Sequence, residues 1–85
     1  MEANSSETEA MRIAIANQMR IQRTIKRWSQ DDLAKAAGLG RSTVQRLEKG
    51  QIAMDVKQLQ SVSDAFGIHW LEFMKLVNDE LESGK

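Results

Sequence analysis

The sequence has no cysteine and no proline, a single histidine, and no apolar run of membrane-spanning length. Without cysteine there is neither a disulfide framework nor a thiolate metal site, which fits a reducing compartment such as the cytoplasm. The one histidine, His69, has no set of metal ligands around it in the sequence, so we expect no metal and no cofactor. The start of the chain is acidic and polar, so neither an export signal nor a membrane anchor is predicted.

The remaining pattern is helical. Apolar residues recur at helical spacing, no strand-like alternation appears, and neither a repeat nor a low-complexity segment is present. The 85 residues suffice for one domain with a modest core. We therefore predict an all-α fold of five helices over residues 6–82. Residues 1–5 are expected to be disordered, because nothing there offsets the entropy of ordering, and residues 83–85 to fray.

The clearest local signals lie between Ser29 and Gly50. Ser29 and Asp32 have the spacing of a capping box, which predicts a helix that begins at Gln30. Gly38 ends this helix, since glycine tolerates the left-handed conformation that commonly follows a last turn. The apolar stripe of the helix is Leu33, Ala36 and Ala37.

A second short helix follows after Leu39 and Gly40, and Gly50 closes it. Val44 and Leu47 are predicted to face inward. Polar side chains occupy the other faces of this helix: Arg41, Ser42, Thr43, Gln45 and Arg46. Two short helices joined by a glycine-containing turn match the helix-turn-helix motif, whose second helix lies in the DNA major groove.

Three further helices flank this motif, over residues 7 to about 27, 56–66 and 69–81. Their predicted core residues are Ile15, Met19, Trp28, Leu59, Val62 and Phe66. The last helix has more apolar surface than a small domain easily covers, which makes it a candidate homodimer interface. The residues concerned are Trp70, Phe73, Met74, Val77 and Leu81. The alternative is that this helix folds back on the first one, using a stripe at Ile21 and Ile25.

The net charge of zero is unexpected for a protein that binds nucleic acid, but the charges are unevenly distributed. Residues 12–57 contain ten Lys or Arg against four Asp or Glu, a net of +6, whereas residues 1–11 and 58–85 each carry −3. Basic charge therefore surrounds the motif, and the acidic ends limit non-specific binding.

The motif resembles the Cro and phage-repressor family of DNA-binding domains, also called the XRE family. The resemblance rests on Ser29-Gln30, Leu33-Ala34, Ala37-Gly38, Val44, Leu47-Glu48 and Gly50, and it extends more weakly over about Met11 to Leu71. It implies a five-helix, lambda-repressor-like fold and a sequence-specific transcriptional regulator in the cytoplasm, on the nucleoid. A repressor of phage or mobile-element type, bound to a palindromic double-stranded operator, is the expected form.

The resemblance also implies roles for individual residues. Base edges are expected to be read by Arg41, Ser42, Thr43, Gln45 and Arg46. Phosphates are expected to be bound by Gln30, Lys49, Gln51, Lys57 and Arg27. Arg23 and Glu48 are expected to form a structural ion pair, because a guanidinium suits a partly buried carboxylate.

Two departures from the family pattern limit this transfer of roles. Gly40 stands where many relatives have a capping Ser or Thr, and Arg41 replaces the frequent glutamine or serine-like readers, so no operator sequence can be borrowed. The rival function is an antitoxin or another regulatory module that binds a protein partner through its C-terminal helix. An enzyme is not expected, because the acidic pairs and the glycines lack a catalytic or phosphate-loop context.

Overall fold

The structure is a computed structural model that describes residues 5–83, with side chains from residue 8 onward. Five helices follow one another: α1 (Ser5–Ile25), α2 (Gln30–Ala37), α3 (Arg41–Glu48), α4 (Val56–Phe66) and α5 (Trp70–Ser83), with no strand in the part described. The predicted all-α class and the number of helices are confirmed. Of the terminal segments expected to be unstructured, Ser5 and Ser83 belong to helices, and residues 1–4 and 84–85 lie outside the described range.

The starts and ends of the central helices agree with the predicted capping residues. Ser29 and Asp32 form a complete capping box at α2, and Asp55 and Gln58 form a second one at α4. The predicted helix ends at Gly38 and Gly67 adopt the left-handed conformation, with φ of 68° and 75°. These bounds depend on hydrogen bonds between near neighbours, which is why local sequence signals locate them.

The end of α1 differs from its prediction. The helix stops at Ile25, two residues earlier than expected, because Arg27 takes the left-handed conformation with φ of 59°. The amides of Arg27 and Trp28 then donate to the carbonyls of Thr24 and Arg23 at 3.0 Å each. An arginine thus ends this helix in the way a glycine usually does, so no glycine marked the position in the sequence.

The core forms where α1, α2, α3, α4 and α5 meet. Its fully buried side chains include Met19, Leu33, Val44, Leu47 and Val62. The expected stripe on α2 needs one correction: Ala34 is buried, whereas Ala36 is exposed. The helix α2 packs against both α3 and α4. The positions of those two helices therefore decide which residues of α2 are buried, and the pattern of apolar residues alone does not.

The helix α5 folds back onto α1 and α4, and this corrects the interface set proposed for it. Phe73 and Val77 have no exposed surface, so neither is available to a second chain. The Phe66 ring stacks between Trp28 and Phe73, with centroid distances of 6.1 and 6.2 Å.

The alternative arrangement is only half right. The helix α5 does pack on α1, and the Gln18 amide nitrogen donates to Glu80 Oε1 at 3.1 Å. However, Ile21 and Ile25 stay 43% and 68% exposed instead of mediating the contact. Trp70 and Leu71 are exposed, and Met74 and Leu81 are half-buried.

Candidate nucleic-acid interface

The N-terminus of α2 is fixed by reciprocal hydrogen bonds. The Asp32 amide donates to Ser29 Oγ at 3.0 Å, and the Ser29 amide donates to Asp32 Oδ2 at 2.9 Å. The hydrogen bond from the Ser29 amide stabilises the ionised form and lowers the pKa of Asp32 below its ordinary value. The cap therefore sets where α2 begins relative to the rest of the motif.

The turn between α2 and α3 is short because Gly38 reverses the chain. The Leu39 amide donates to the Ala34 carbonyl at 2.9 Å, which closes the end of α2. Gly40 then adopts an extended conformation, with φ −72° and ψ 149°, and acts as the N-cap of α3 without a side-chain hydrogen bond. As the sequence indicated, α3 therefore begins without a capping side chain.

The helix α3 separates into a buried and an outward face. Val44, Leu47 and Glu48 are buried, with 2% or less of each residue exposed. Arg41, Ser42 and Arg46 are exposed, and Thr43 and Gln45 are half-buried at the edge of the same polar surface. The structure therefore brings the five expected base-reading side chains to the outward side of one helix.

The expected phosphate-binding residues have different surroundings. Arg27, Lys49, Gln51 and Lys57 are exposed. Gln30 is half-buried, and its amide nitrogen donates to Glu48 Oε1 at 3.0 Å. The Gln30 side chain therefore keeps only one amide hydrogen for a phosphate, although it lies at the start of α2 as expected.

Beneath α3 the Glu48 carboxylate is held by Arg23. The distances are 2.8 Å from Arg23 Nε to Oε2 and 3.0 Å from Nη2 to Oε1, and Arg23 Nη1 donates to the Trp28 carbonyl at 2.9 Å. The Arg23 side chain is 19% exposed and that of Glu48 only 2%. A buried bidentate pair fixes two helices more firmly than a solvated one, because water does not compete for the carboxylate.

Two further arginines of α1 contact the end of α3, and the sequence reasoning missed both contacts. Arg12 Nε donates to the Gly50 carbonyl at 3.1 Å. Arg20 donates to the Glu48 carbonyl and to Asn17 Oδ1. A signal was present, since Arg12, Arg20 and Arg23 fall on one side of a helix with 3.6 residues per turn.

The histidine, metal-ligand and membrane predictions concern residues outside this interface. His69 stands at the start of α5, where its Nδ1 accepts a hydrogen bond from the Leu71 amide at 3.1 Å, so it is a boundary residue as expected. Within residues 8–83, no cluster of three or more His, Asp or Glu has the geometry to hold a metal ion. None of the described helices combines the length and apolar character needed to span a bilayer.

Comparisons with known proteins identify the motif and the fold. The sequence model of one family, described as helix-turn-helix, matches residues 19–73. No curated protein matches the sequence. A solved structure of the clp gene regulator ClgR from Corynebacterium glutamicum has a TM-score of 0.80 at 22% identity, covering 87% of this chain and 79% of that chain. The restriction-modification controller protein C.Esp1396I has a TM-score of 0.76 at 18% identity, covering 84% and 91%.

Proposed function

Since the chain belongs to the XRE-type helix-turn-helix family of DNA-binding transcription regulators, we propose that α3 enters the DNA major groove and reads base edges with its outward face. The observation that carries this proposal is the division of α3. Its apolar side is buried in the core, while two arginines and a serine are exposed on the other side, with Thr43 and Gln45 at the edge of that surface.

Each outward residue suits a particular base contact. The guanidinium groups of Arg41 and Arg46 can donate two hydrogen bonds to guanine O6 and N7, a contact worth about 1–3 kcal/mol of discrimination. Ser42 both donates and accepts, and the Thr43 methyl group suits the methyl group of thymine. Gln45, at the edge of the face, contacts a base or a phosphate.

Phosphate contacts would position this helix without selecting a sequence. The exposed cations Arg27, Lys49 and Lys57 and the amide of Gln51 are proposed for this role. The free amides at the start of α2 support a phosphate there, with the second amide hydrogen of Gln30. The net charge of +6 between residues 12 and 57, which include the motif, favours the approach of DNA.

We further propose that the protein is a repressor that binds a palindromic operator as a homodimer. A two-fold dimer places its recognition helices about 34–36 Å apart on successive turns of the major groove. The exposed apolar residues Trp70 and Leu71 at the start of α5 are available for such a contact, whereas Phe73 and Val77 are not.

The alternative function, an antitoxin or a regulatory module that acts by binding a protein through α5, has less support. Two of the five apolar residues on which it relied, Phe73 and Val77, belong to the core. It predicts a protein that binds a partner while its α3 face selects no DNA sequence.

Selection from a random pool of DNA duplexes, combined with light scattering of the bound complexes, tests these proposals together. We expect enrichment of a palindrome bound by two chains. One enriched half-site bound by one chain would retain base reading and contradict the dimer. A pool without enrichment would contradict base reading by α3 and favour the protein-binding alternative.

A further inference from the structure

The loop from Lys49 to Asp55, which follows the recognition helix, carries two of the proposed phosphate contacts. Lys49 and Gln51 are both exposed and flank Gly50. The amides of Gly50 and Gln51 donate to the carbonyls of Leu47 and Arg46 at 3.1 and 3.0 Å. After Gln51 the described backbone makes no further amide–carbonyl bond until the first turn of α4. The amides of residues 49–51 are thus held by α3, whereas their carbonyls and the rest of the loop depend on other elements for their position.

The first half of α1 supplies that support through Arg12. Its Nε donates to the Gly50 carbonyl at 3.1 Å, between residues 38 positions apart in the sequence. The Arg12 side chain is half-buried, which restricts it more than a solvated arginine. A cation on the carbonyls beyond the last turn of a helix is also favoured by the helix dipole.

Gly50 also packs against α1, next to the hydrogen bond from Arg12. A Cβ atom on Gly50 would lie 3.5 Å from Ile13 Cγ1 and 3.7 Å from the backbone carbonyl of Arg12. These are ordinary van der Waals distances, so it is the left-handed backbone, with φ of 69°, that favours glycine at this position. The loop therefore rests directly on the backbone of α1 at residues 12–13.

Further along the loop, α1 and the chain after α3 enclose a shallow apolar cavity. Met11 and Ile15 line it from α1, and Met54, Val56 and Leu59 line it from the loop and α4. Thus the same stretch of α1 contacts the start of the loop and faces its end across this cavity. The family match begins at residue 19, so this stretch lies outside it.

We propose that Arg12 is a positioning residue for DNA binding, which holds the Gly50 carbonyl and thereby fixes Lys49 and Gln51 where they meet the phosphates. Arg20 supports the same end of α3 through the Glu48 carbonyl. The proposal rests on the function given above, since it concerns the phosphate contacts of that interface. Arg12 itself binds protein rather than DNA.

The test compares Arg12→Gln with the unaltered protein on the duplex that the selection enriches. Affinity is expected to fall about three- to tenfold, because the loop must be ordered on binding. The slope of log affinity against log salt is expected to stay unchanged, since a lost phosphate contact would reduce it by about 0.9. In DNA-free protein, hydrogen exchange at the Gly50 and Gln51 amides is expected to speed up several-fold.

Two variants control for stability and for charge. Gln18→Ala removes the hydrogen bond to Glu80, which ties α1 to α5 and not to α3. It is expected to lower the melting temperature while leaving affinity and exchange at Gly50 as they were. Arg12→Lys keeps the charge and can still donate to the carbonyl, so it is expected to recover part of the lost affinity.

The outcomes separate this inference from the proposed function. If the unaltered protein binds no duplex, the proposed function fails. If it binds and Arg12→Gln binds equally well, only the positioning role is overturned. A salt slope reduced by about one in Arg12→Gln also overturns it, since Arg12 would then be a phosphate contact in its own right. Equal losses in Gln18→Ala and Arg12→Gln would mean that general stability explains the effect.

Discussion

At the scale of single residues, Glu48 accepts the hydrogen bonds that fix the end of α3. Its carboxylate receives two bonds from Arg23 and one from Gln30, and its backbone carbonyl receives Arg20. A buried carboxylate with several donors is strongly stabilised as a network, but it becomes costly when one donor is removed. The orientation of α3 is therefore sensitive to a buried residue rather than to one on its outward face.

Replacing Arg23 by methionine leaves the Glu48 carboxylate buried with one donor from Gln30. We expect the Arg23→Met variant to lose about 3–5 kcal/mol of unfolding free energy. Urea denaturation followed by tryptophan fluorescence measures this. The Arg23→Met/Glu48→Leu double variant is the control and is expected to recover most of the loss, because no charge then stays buried. A single-variant loss below about 1 kcal/mol would mean that the pair behaves like a surface ion pair.

Arg46 and Lys57 are expected to differ in what their removal changes. Arg46→Ala should weaken binding to the selected duplex and relax preference at one base pair by about 1–3 kcal/mol. Lys57→Ala should weaken binding to all duplexes alike and reduce the salt slope by about 0.9. Titrations on matched and single-substitution duplexes measure both effects. Lys75→Ala, the same charge change on α5, is the control, and equal losses on every sequence for Arg46→Ala and Lys57→Ala would contradict the assignment.

At the scale of the elements, the two glycines of the turn between α2 and α3 have different roles. Gly38 has φ of 68°, whereas Gly40 is extended and a Cβ there would meet only Thr43 Oγ1, at 3.9 Å. The first glycine is required by the backbone. The second leaves α3 without a side-chain cap, which a short polar residue can supply.

Substitution of each glycine tests this difference. Gly38→Ala is expected to cost about 1–2 kcal/mol of unfolding free energy, because an L-residue is strained in the left-handed conformation. Gly40→Ser is expected to add about 0.3 kcal/mol by capping α3. Thermal and urea denaturation measure both changes, and Gly40→Ala, which adds a Cβ but no cap, is the control. Equal destabilisation by Gly38→Ala and Gly40→Ala would contradict the assignment of the turn.

Local signals predicted these elements unevenly. Ser29, Gly38, Asp55 and Gly67 act on neighbours within five residues, so the bounds of α2 and α4 follow from the sequence. The end of α1 could not be predicted in this way, because Arg27 adopts the left-handed conformation that is usually found at glycine. A non-glycine residue keeps this conformation only where the surrounding structure imposes it, and the residue type alone does not reveal that.

For the whole molecule, the position of α5 decides which apolar residues form the core. Phe73 stacks on the Phe66 ring of α4 and has no exposed surface, whereas Leu71 is 49% exposed. Burial of this aromatic ring in the core stabilises the monomer itself. A second chain can use only the residues left outside this contact.

Substitutions on the two sides of α5 should therefore have different consequences. Phe73→Ala is expected to cost about 3–5 kcal/mol of unfolding free energy through the cavity it creates. Leu71→Glu is expected to change stability by no more than about 0.5 kcal/mol and to weaken self-association if the dimer uses this surface. Denaturation and light scattering measure the two effects. A Phe73→Ala protein that stays stable as a monomer but no longer dimerises would restore the interface first predicted.

The sequence by itself determined the helix-turn-helix, the caps of α2 and α4 and the polar set on α3, because periodicity and capping act between residues close together in the chain. The tertiary structure decided which side of α5 is buried, left Ile21 and Ile25 exposed, and gave Arg12 and Arg20 their partners. Those contacts join residues 28 to 62 positions apart. Such pairings arise from how helices pack into a common core, which a pattern within one helix does not specify.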